Sequence, residues 1–331
     1  MSILVTGGAG YIGSHTVHAL VDRGEEVVVI DNLSTGSASL LSGAAELVVG
    51  DIGDSGLLAR LFSEHRISAI IHFAGSIVVP ESVSDPLKYY GNNTVRSHAL
   101  IAAAVQAGAP HFIFSSTAAV YGEPASVPVE ETTPFAPMSP YGTSKMMTEL
   151  MLRDVAAAHD FRYAALRYFN VAGADPKGRT GQTTPDATHL IKVACQAALG
   201  QREGLAVFGT DYPTRDGTCI RDYIHVSDLA EAHVLALDYL RSGEDSLALN
   251  CGYGSGFSVL EVVEAVKRVS GVDFPVTMAA RRPGDPAALI AGAGRIREAL
   301  GWRPEHEDLD GIVADAFRWE TALRDRRRNS A

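Results

Sequence analysis

The amino-acid sequence predicts an α/β fold: a doubly wound parallel sheet of Rossmann type with a smaller mixed α/β domain after it. Three observations predict this. The apolar run Ser2–Thr6 leads straight into the glycine loop Gly7-Gly-Ala-Gly-Tyr-Ile-Gly13. Short apolar runs then alternate with longer amphipathic ones through the first half of the chain, as in repeated βαβ units. Those short runs show little period-two alternation, which suits strands covered on both faces.

In order, strands are expected at Ser2–Thr6, Glu26–Ile30, Leu47–Val49, Ala69–His72 and His111–Ser115, with Tyr163–Arg167 completing the sheet. Helices are expected at Tyr11–Arg23, Ser55–His65, Asp85–Ala107 and Tyr141–His159. Past Asn170 the pattern changes. Gly173–Asp186 is rich in Gly, Pro, Asp and Thr and reads as a loop. Helix, short strand and loop then mix up to a terminal helix near Asp308–Arg324, whose closing Arg324-Asp-Arg-Arg-Arg328 cluster reads as a frayed, solvated end. These changes put a domain boundary near residue 170.

At 331 residues the chain is long enough for a large core. Its 46% hydrophobic and 20% charged content is that of an ordinary soluble globular protein. A net charge of −11 argues against nucleic acid or an anionic membrane as partner. The three cysteines, Cys195, Cys219 and Cys251, are widely spaced and show no zinc-ligand pattern. No metal site and no disulfide framework are therefore expected, and a reducing compartment is favoured. A strand-type run opens at residue 3 and no apolar stretch reaches membrane-spanning length, so the cytoplasm is the expectation.

The glycine loop carries the first functional signal. Gly7, Gly10 and Gly13 allow a tight turn, close approach of backbone to a pyrophosphate, and close helix–strand packing. The helix that follows offers unpaired N–H groups and a partial positive charge to phosphates. Asp31 ends the next strand, near the ~20-residue spacing at which a carboxylate accepts the ribose hydroxyls. It would repel a 2′-phosphate, so NAD is expected rather than NADP. Asp51, after Val48-Val-Gly50, stands where it meets the adenine amino group or caps a turn.

The second signal is Tyr141 and Lys145, which share one helix face at i and i+4. A phenol with a pKa of ~10 is a poor base at neutral pH. A cation about 4 Å away at an effective dielectric near 20 supplies roughly 4 kcal/mol toward its ionisation. Thr117, in Phe114-Ser-Ser-Thr117, offers a hydroxyl at the carboxyl end of a strand, where ligands bind in open α/β sheets. It can relay or orient the proton. Together these residues point to redox chemistry on a hydroxyl beside a nicotinamide ring.

On these residues the chain resembles the extended short-chain dehydrogenase/reductase family and, within it, the UDP-hexose 4-epimerases. The resemblance runs over nearly the whole chain. It includes Val5-Thr-Gly-Gly-Ala-Gly-Tyr-Ile-Gly-Ser-His15, His72-Phe-Ala-Gly75, Ser139-Pro-Tyr141 and Arg167-Tyr-Phe-Asn170. In the second half, Phe208-Gly-Thr-Asp-Tyr212 and Arg221-Asp-Tyr-Ile-His-Val226 are its most specific segments.

The resemblance implies NAD-dependent interconversion of UDP-glucose and UDP-galactose. The sugar would be oxidised at C4, turn over as a 4-keto sugar, and be reduced on the opposite face. It makes Tyr141 base and then acid, Lys145 its electrostatic partner, and Thr117 the relay. NAD would be lined by Gly7, Gly10, Tyr11, Ile12, Gly13, Asp31, Asn32, Asp51, Ile52, Phe73, Ala74, Gly75, Asn92, Ser115 and Phe169, with Tyr141 and Lys145. The UDP-sugar would meet Thr117, Tyr141, Asn170, His189, Leu190, Phe208, Arg221, Tyr223, Arg282, Asp285 and Leu289. Arg221 and Arg282 would clamp the diphosphate, and Asp285 would take ribose hydroxyls. Residues 1–170 would form the NAD domain and 171–331 the UDP-sugar domain, interleaved with it. A homodimer packed through Asp85–Ala107 and Tyr141–His159 is also implied.

Three positions depart from the family pattern. Ile77 stands where many relatives carry a lysine, and His189 replaces a common Asn. Leu289 falls where some relatives place a tyrosine closing the sugar pocket, which predicts room for a 2-acetamido group. A 4-epimerase of another UDP-sugar, a pentose or a uronate, stays open. A 4,6-dehydratase is disfavoured, because Ala118-Ala119 follow Thr117 where those enzymes generally need an acid. A non-catalytic NAD sensor on the same fold is disfavoured by the joint presence of Thr117, Tyr141 and Lys145.

Overall fold

The computed structural model describes residues 1–184, 187–282 and 284–329. Pro185 and Asp186, which close the predicted loop, and Pro283, within the predicted Arg282–Leu289 segment, lie outside the described residues. The first half runs β1 (Ser2–Thr6), α1 (Tyr11–Asp22), β2 (Val27–Asp31), β3 (Glu46–Val49), α2 (Ser55–Glu64) and β4 (Ile67–His72). It continues with α3 (Val79–Ser84), α4 (Pro86–Tyr89), a π-helical turn at Tyr90–Val95, α5 (Arg96–Ala107), β5 (His111–Ser115), α6 (Pro140–Ala158) and β6 (Arg162–Tyr168). The second half runs β7 (Asn170–Ala172), α7 (Leu190–Ala198), β8 (Leu205–Phe208), β9 (Ile220–Arg221), β10 (Tyr223–His225), α8 (Val226–Arg241) and β11 (Leu247–Cys251). It ends with β12 (Phe257–Ser258), α9 (Val259–Ser270), β13 (Val276–Ala279), β14 (Ala288–Leu289), α10 (Gly294–Leu300) and α11 (Leu309–Asn329).

Among the described residues seven strands form one parallel sheet in the order β11-β6-β5-β4-β1-β2-β3. Successive residues of β1 go to opposite sides: Ile3 and Val5 join the core with α1 and α8, whereas Leu4 joins the one with α2, α5 and α6. Both faces are covered, which is why these strands read as unbroken apolar runs. The chain order reverses between β1 and β4, the switch point where open α/β sheets bind ligands.

Local chemistry sets the ends of the key helices. Ser139 caps α6, accepting from the Gly142 amide at 3.2 Å, and Pro140 takes the first turn, where its missing N–H costs nothing. A reciprocal Ser258–Glu261 capping box starts α9, and the left-handed Gly271 ends it.

Three sequence expectations are corrected. Tyr163–Arg167 does not complete the sheet: β11 pairs in parallel beyond it, Leu247 opposite Ala164 through Cys251 opposite Tyr168. Its run Leu-Ala-Leu-Asn-Cys is apolar but for the buried Asn250, and lies beyond the stretch of regular βα alternation. The expected helix Asp85–Ala107 is interrupted: Asp85 caps the short α4, accepting from the Lys88 amide at 3.2 Å, and the π-turn precedes α5. The terminal helix runs on to Asn329, with Trp319 and Leu323 buried beside Leu40 and Ala174, so its arginine-rich end is helical.

Candidate active site

The loops after β1 and β4 meet at the switch point. Gly7 has φ +67°, and a Cβ there would lie 2.7 Å from the Ala74 amide nitrogen. A Cβ on Gly13 would lie 2.3 Å from the Gly7 carbonyl oxygen. Both are positions that only glycine fills. Gly10 begins α1, and no side chain caps this end, so the amides of Tyr11, Ile12 and Gly13 in the first turn keep their donors for a ligand. A bare helix start over a glycine cradle fits a dinucleotide pyrophosphate.

At the end of β2, Asp31 is buried, its carboxylate accepting from the Ala9 amide at 2.9 Å and the Leu33 amide at 2.8 Å. Leu33 takes φ +58°, which turns its N–H back onto that carboxylate. Asn32 accepts from the Ser34 amide at 3.0 Å. Asp51 is built as a turn cap: it accepts from the Gly53 amide at 2.8 Å and pairs with Arg96 at 3.1 Å. Ile52 is buried beside it.

Tyr141, Lys145 and Thr117 converge at the end of β5. The Thr117 hydroxyl, which accepts from the Ala119 amide at 3.2 Å, acts on the Tyr141 phenol and lowers its pKa. The Lys145 ammonium donates to the Ser115 carbonyl at 2.9 Å and lies 4.9 Å from the Phe114 ring centre. A Cβ at Gly75 would be 3.7 Å from this ammonium, so the loop Phe73–Gly75 borders it directly. Phe73 itself packs against the His233 ring at 4.7 Å. Asn92, in the π-turn, donates to the Ser76 hydroxyl at 2.9 Å.

Electrostatics adds to one expectation. The spacing predicts that the Lys145 cation pulls the Tyr141 phenol down; in the chain itself the phenol is acted on by its burial and by the Thr117 hydroxyl. Desolvation of the phenolate pushes Tyr141 up, against the Thr117 hydrogen bond. Burial also pulls Lys145 down to about 8, while Glu149 pushes it back up.

The residues assigned to the UDP-sugar fall into two groups. Asn170, His189, Leu190 and Tyr223 line one cavity together with Tyr11 of the glycine loop. There Gln182 donates to His189 Nδ1 at 2.9 Å, which leaves Nε2–H free to donate. Burial, and then Lys192, lower the His189 pKa, so the ring is neutral at pH 7. The other group lies outside this cavity. The Arg282 guanidinium stacks 3.9 Å over the Phe208 ring, and Arg221 pairs with Asp285 at 3.6 Å. Leu289 lies opposite Arg221 in the β14–β9 pairing and packs on the cluster containing Ala118 and Phe169. Ile77 is exposed.

Sequence reasoning missed several residues of this region. Asn93 is buried, accepting from the Ser76 amide at 2.7 Å and donating to Ser144 at 3.1 Å. Tyr168 bonds the Ser115 hydroxyl at 2.6 Å. Lys192 and Glu320 form a buried pair at 2.7 Å in the cavity wall. Only tertiary contact brings Lys192 to Glu320, so no local spacing signals it. The repeated Asn92-Asn93 in an otherwise helical stretch was a usable signal for the π-turn.

Comparison with known proteins agrees with this geometry. A family model described as the NAD dependent epimerase/dehydratase family matches residues 3–252. The chain is 63% identical over 321 residues to a UDP-glucose 4-epimerase of Azospirillum brasilense, covering 97% of this chain and 92% of that one. A solved UDP-glucose 4-epimerase superposes with a TM-score of 0.96 at 45% identity, covering 98% of this chain and 99% of the other. The Bifidobacterium longum UDP-glucose 4-epimerase, solved with NAD+ and UDP, superposes with a TM-score of 0.93 at 38% identity over 98% and 99% of the two chains. With the glycine cradle, the buried Asp31 carboxylate and the Thr–Tyr–Lys cluster in place, the chain belongs to the NAD dependent epimerase/dehydratase family.

Proposed function

We propose that this chain inverts C4 of UDP-hexoses, interconverting UDP-glucose and UDP-galactose with NAD as resident cofactor. The observation that carries the reading is the convergence of Thr117, Tyr141 and Lys145 beside the Phe73–Gly75 loop. NAD, when bound, supplies the hydride acceptor and a positively charged ring. The glycine turn would hold its pyrophosphate, and Asp31 its adenosine ribose.

The chain's own residues do the rest. Tyr141 takes the proton of the C4 hydroxyl and returns it to that oxygen after the sugar has turned over, when C4 is reduced on its opposite face. Thr117 orients that hydroxyl toward the phenol. The Lys145 ammonium favours the phenolate. Arg221 and Arg282 anchor the diphosphate by paired N–H donors, with Asn170, His189, Leu190, Phe208, Tyr223 and Asp285 around the uridine. A tightly held diphosphate with a loosely held sugar allows the ring to turn between two presentations. In this reading residues 1–170 hold NAD and 171–331 hold the UDP-sugar.

The test is direct. Purified chain is given UDP-galactose without added NAD, and the 4-epimers are separated by chromatography. UDP-glucose should form with no net NADH absorbance; if neither 4-epimer appears from the other, the reading is wrong.

Two finer statements belong to it. Leu289, smaller than tyrosine, favours acceptance of 2-acetamido sugars. A homodimer is supported by the exposed apolar side chains Val83, Leu87 and Val95 on α3, α4 and the π-turn, with Met147 on the adjoining α6. Sedimentation at micromolar concentration showing only monomer would remove the dimer. The three cysteines are all buried and free, which favours the reducing cytoplasm. Among the described residues no helix is long and apolar enough to cross a membrane.

A further inference from the structure

We propose that Glu149, gripped by Arg167, is a positioning residue that clamps the strand end Ser115–Thr117 against helix α6 and so holds Thr117 and Lys145 in register with Tyr141. The proposal rests on the 4-epimerase reading and adds to it a buried ion pair that the reaction scheme leaves unused.

The geometry is over-determined. Arg167 Nε donates to Glu149 Oε1 at 3.0 Å and to Oε2 at 3.1 Å, and Arg167 Nη2 donates to Oε2 at 2.6 Å. Arg167 is fixed in turn: its Nη1 donates to the Tyr121 hydroxyl at 2.8 Å, and that hydroxyl donates to Asn250 Oδ1 at 2.6 Å. Its guanidinium also lies 4.7 Å from the Phe135 ring centre. Held this way, Glu149 has one bond to spend outside the pair. It accepts from the Ser116 hydroxyl.

Ser116 sits between the two residues that matter. The Ser115 carbonyl takes the Lys145 ammonium at 2.9 Å, and the Thr117 hydroxyl acts on the Tyr141 phenol. Lys145 and Glu149 are i and i+4 on α6, so one helix face grips the strand end at two successive residues. The pair's side chains are 7% and 4% exposed. A buried ion pair is a poor device for stability, since well-packed apolar residues often replace it without loss. One aimed at a catalytic strand end has a positional use.

Charge supplies an independent readout. Glu149 on its own helix acts on Lys145, and His72 on β4, which burial keeps neutral near pH 7, feels the lysine in turn. Arg167 on β6 reaches the lysine only through the carboxylate it holds. Among the described residues Glu149 is thus the anion that opposes the burial lowering Lys145. Replacing it with a neutral isostere lowers the lysine further, and a protonated Lys145 is required to support the phenolate. The alkaline limb of the rate profile must move to lower pH.

The experiment compares the purified holoenzyme with Glu149→Gln, Ser116→Ala and Arg167→Lys, measuring kcat and KM for UDP-galactose across pH, with melting curves alongside. Glu149→Gln is expected to lose about tenfold in kcat, with KM within about twofold and an alkaline limb displaced toward acid. Ser116→Ala keeps the ion pair and its charge, so it should lower kcat several-fold with the limb in place. Arg167→Lys, keeping a cation but not the fork, should fall between them. Glu149→Gln with the wild-type limb, or Ser116→Ala at the wild-type rate, overturns the clamp. Ser116→Ala alone decides it if the Glu149 variant does not fold. A wild-type chain that interconverts no UDP-sugar fails earlier, on the activity itself.

Discussion

The Lys145 ammonium donates to the Ser115 carbonyl at 2.9 Å, tying helix α6 to the strand end that carries Thr117 two residues on. The bond holds a buried cation one helical turn from Tyr141, and among the described residues no carboxylate lies within ion-pair distance of it. It also leaves two ammonium N–H groups for other partners. A lysine paired directly with an acid would have its charge cancelled where the phenolate needs it.

Removal of the phenol hydroxyl should therefore abolish the chemistry while sparing the fold. The Thr117 hydroxyl acts on the Tyr141 phenol, and the ring packs edge-on to Tyr89 with ring centres 6.5 Å apart. Tyr141→Phe keeps that packing. Its kcat for UDP-galactose should fall by about 10²–10⁴-fold, the usual worth of a general acid–base group, with KM little changed. Thr117→Val should lose less, because water can replace a relay. Chromatographic initial rates check both, and a Tyr141→Phe rate within tenfold of wild type would exclude the phenol as base.

The rate should also fall in mild alkali. Burial lowers Lys145 to about 8, so its charge is present below that pH and lost as pH rises through it. Loss of the cation leaves Tyr141, which burial pushes up, without support. Rate profiles between about pH 6 and 10 should show a descending limb near 8 in wild type, and none in a Lys145→Arg variant that stays charged throughout. A limb unchanged by that substitution would assign it to another group.

How far the sequence carried the site depends on where each contact comes from. Gly7, Gly13 and Asp31 were legible because their jobs are local: a turn, a close approach, a strand end. Tyr141 and Lys145 were legible because one helix face is read at i and i+4. Glu149 continues that face, but its meaning appears only when Arg167 arrives from β6 and Ser116 from β5. The edge strand Leu247–Cys251 was missed for the same reason, since nothing local says that it returns to pair with Arg162–Tyr168. The upward push on the phenol was not legible, because pairwise Coulomb reasoning omits desolvation, the leading influence on Tyr141 in the chain itself.

Substrate breadth should follow position 289. Leu289 lies opposite Arg221 in the strand pairing and packs beside Phe169 and Ala118, one residue from Thr117. A tyrosine there would extend a ring into the space bordering the sugar. The ratio of turnover on UDP-N-acetylgalactosamine to that on UDP-galactose should therefore drop about tenfold or more in Leu289→Tyr, a scale set by steric loss in a hydrophobic pocket. Equal ratios in the two proteins would remove the pocket-size argument.

Acid should unfold the protein more steeply than its carboxylates alone would suggest. Three histidines are buried and held neutral. His15, whose Nδ1 bonds the Tyr11 carbonyl at 2.7 Å, is lowered to about 3. His72, between the Thr6 and Ser97 hydroxyls at 2.7 and 2.8 Å, is also lowered to about 3. His233, bonded to the Leu229 carbonyl at 2.8 Å, is lowered to about 4. Burial is the leading cause at all three. Each folded pKa lies below the unfolded value near 6.5, so the unfolded chain binds more protons between the two. The stabilisation is fully present above about pH 6.5 and is lost as pH falls toward 4. At about 1.4 kcal/mol per proton per pH unit, three such groups together give a slope of at most about 4 kcal/mol per unit. Urea midpoints at about pH 7, 6 and 5 measure it directly. A midpoint that stays level from 7 to 5 would mean that these imidazoles titrate freely, and that the packing around Thr6, Tyr11 and Leu229 opens to water.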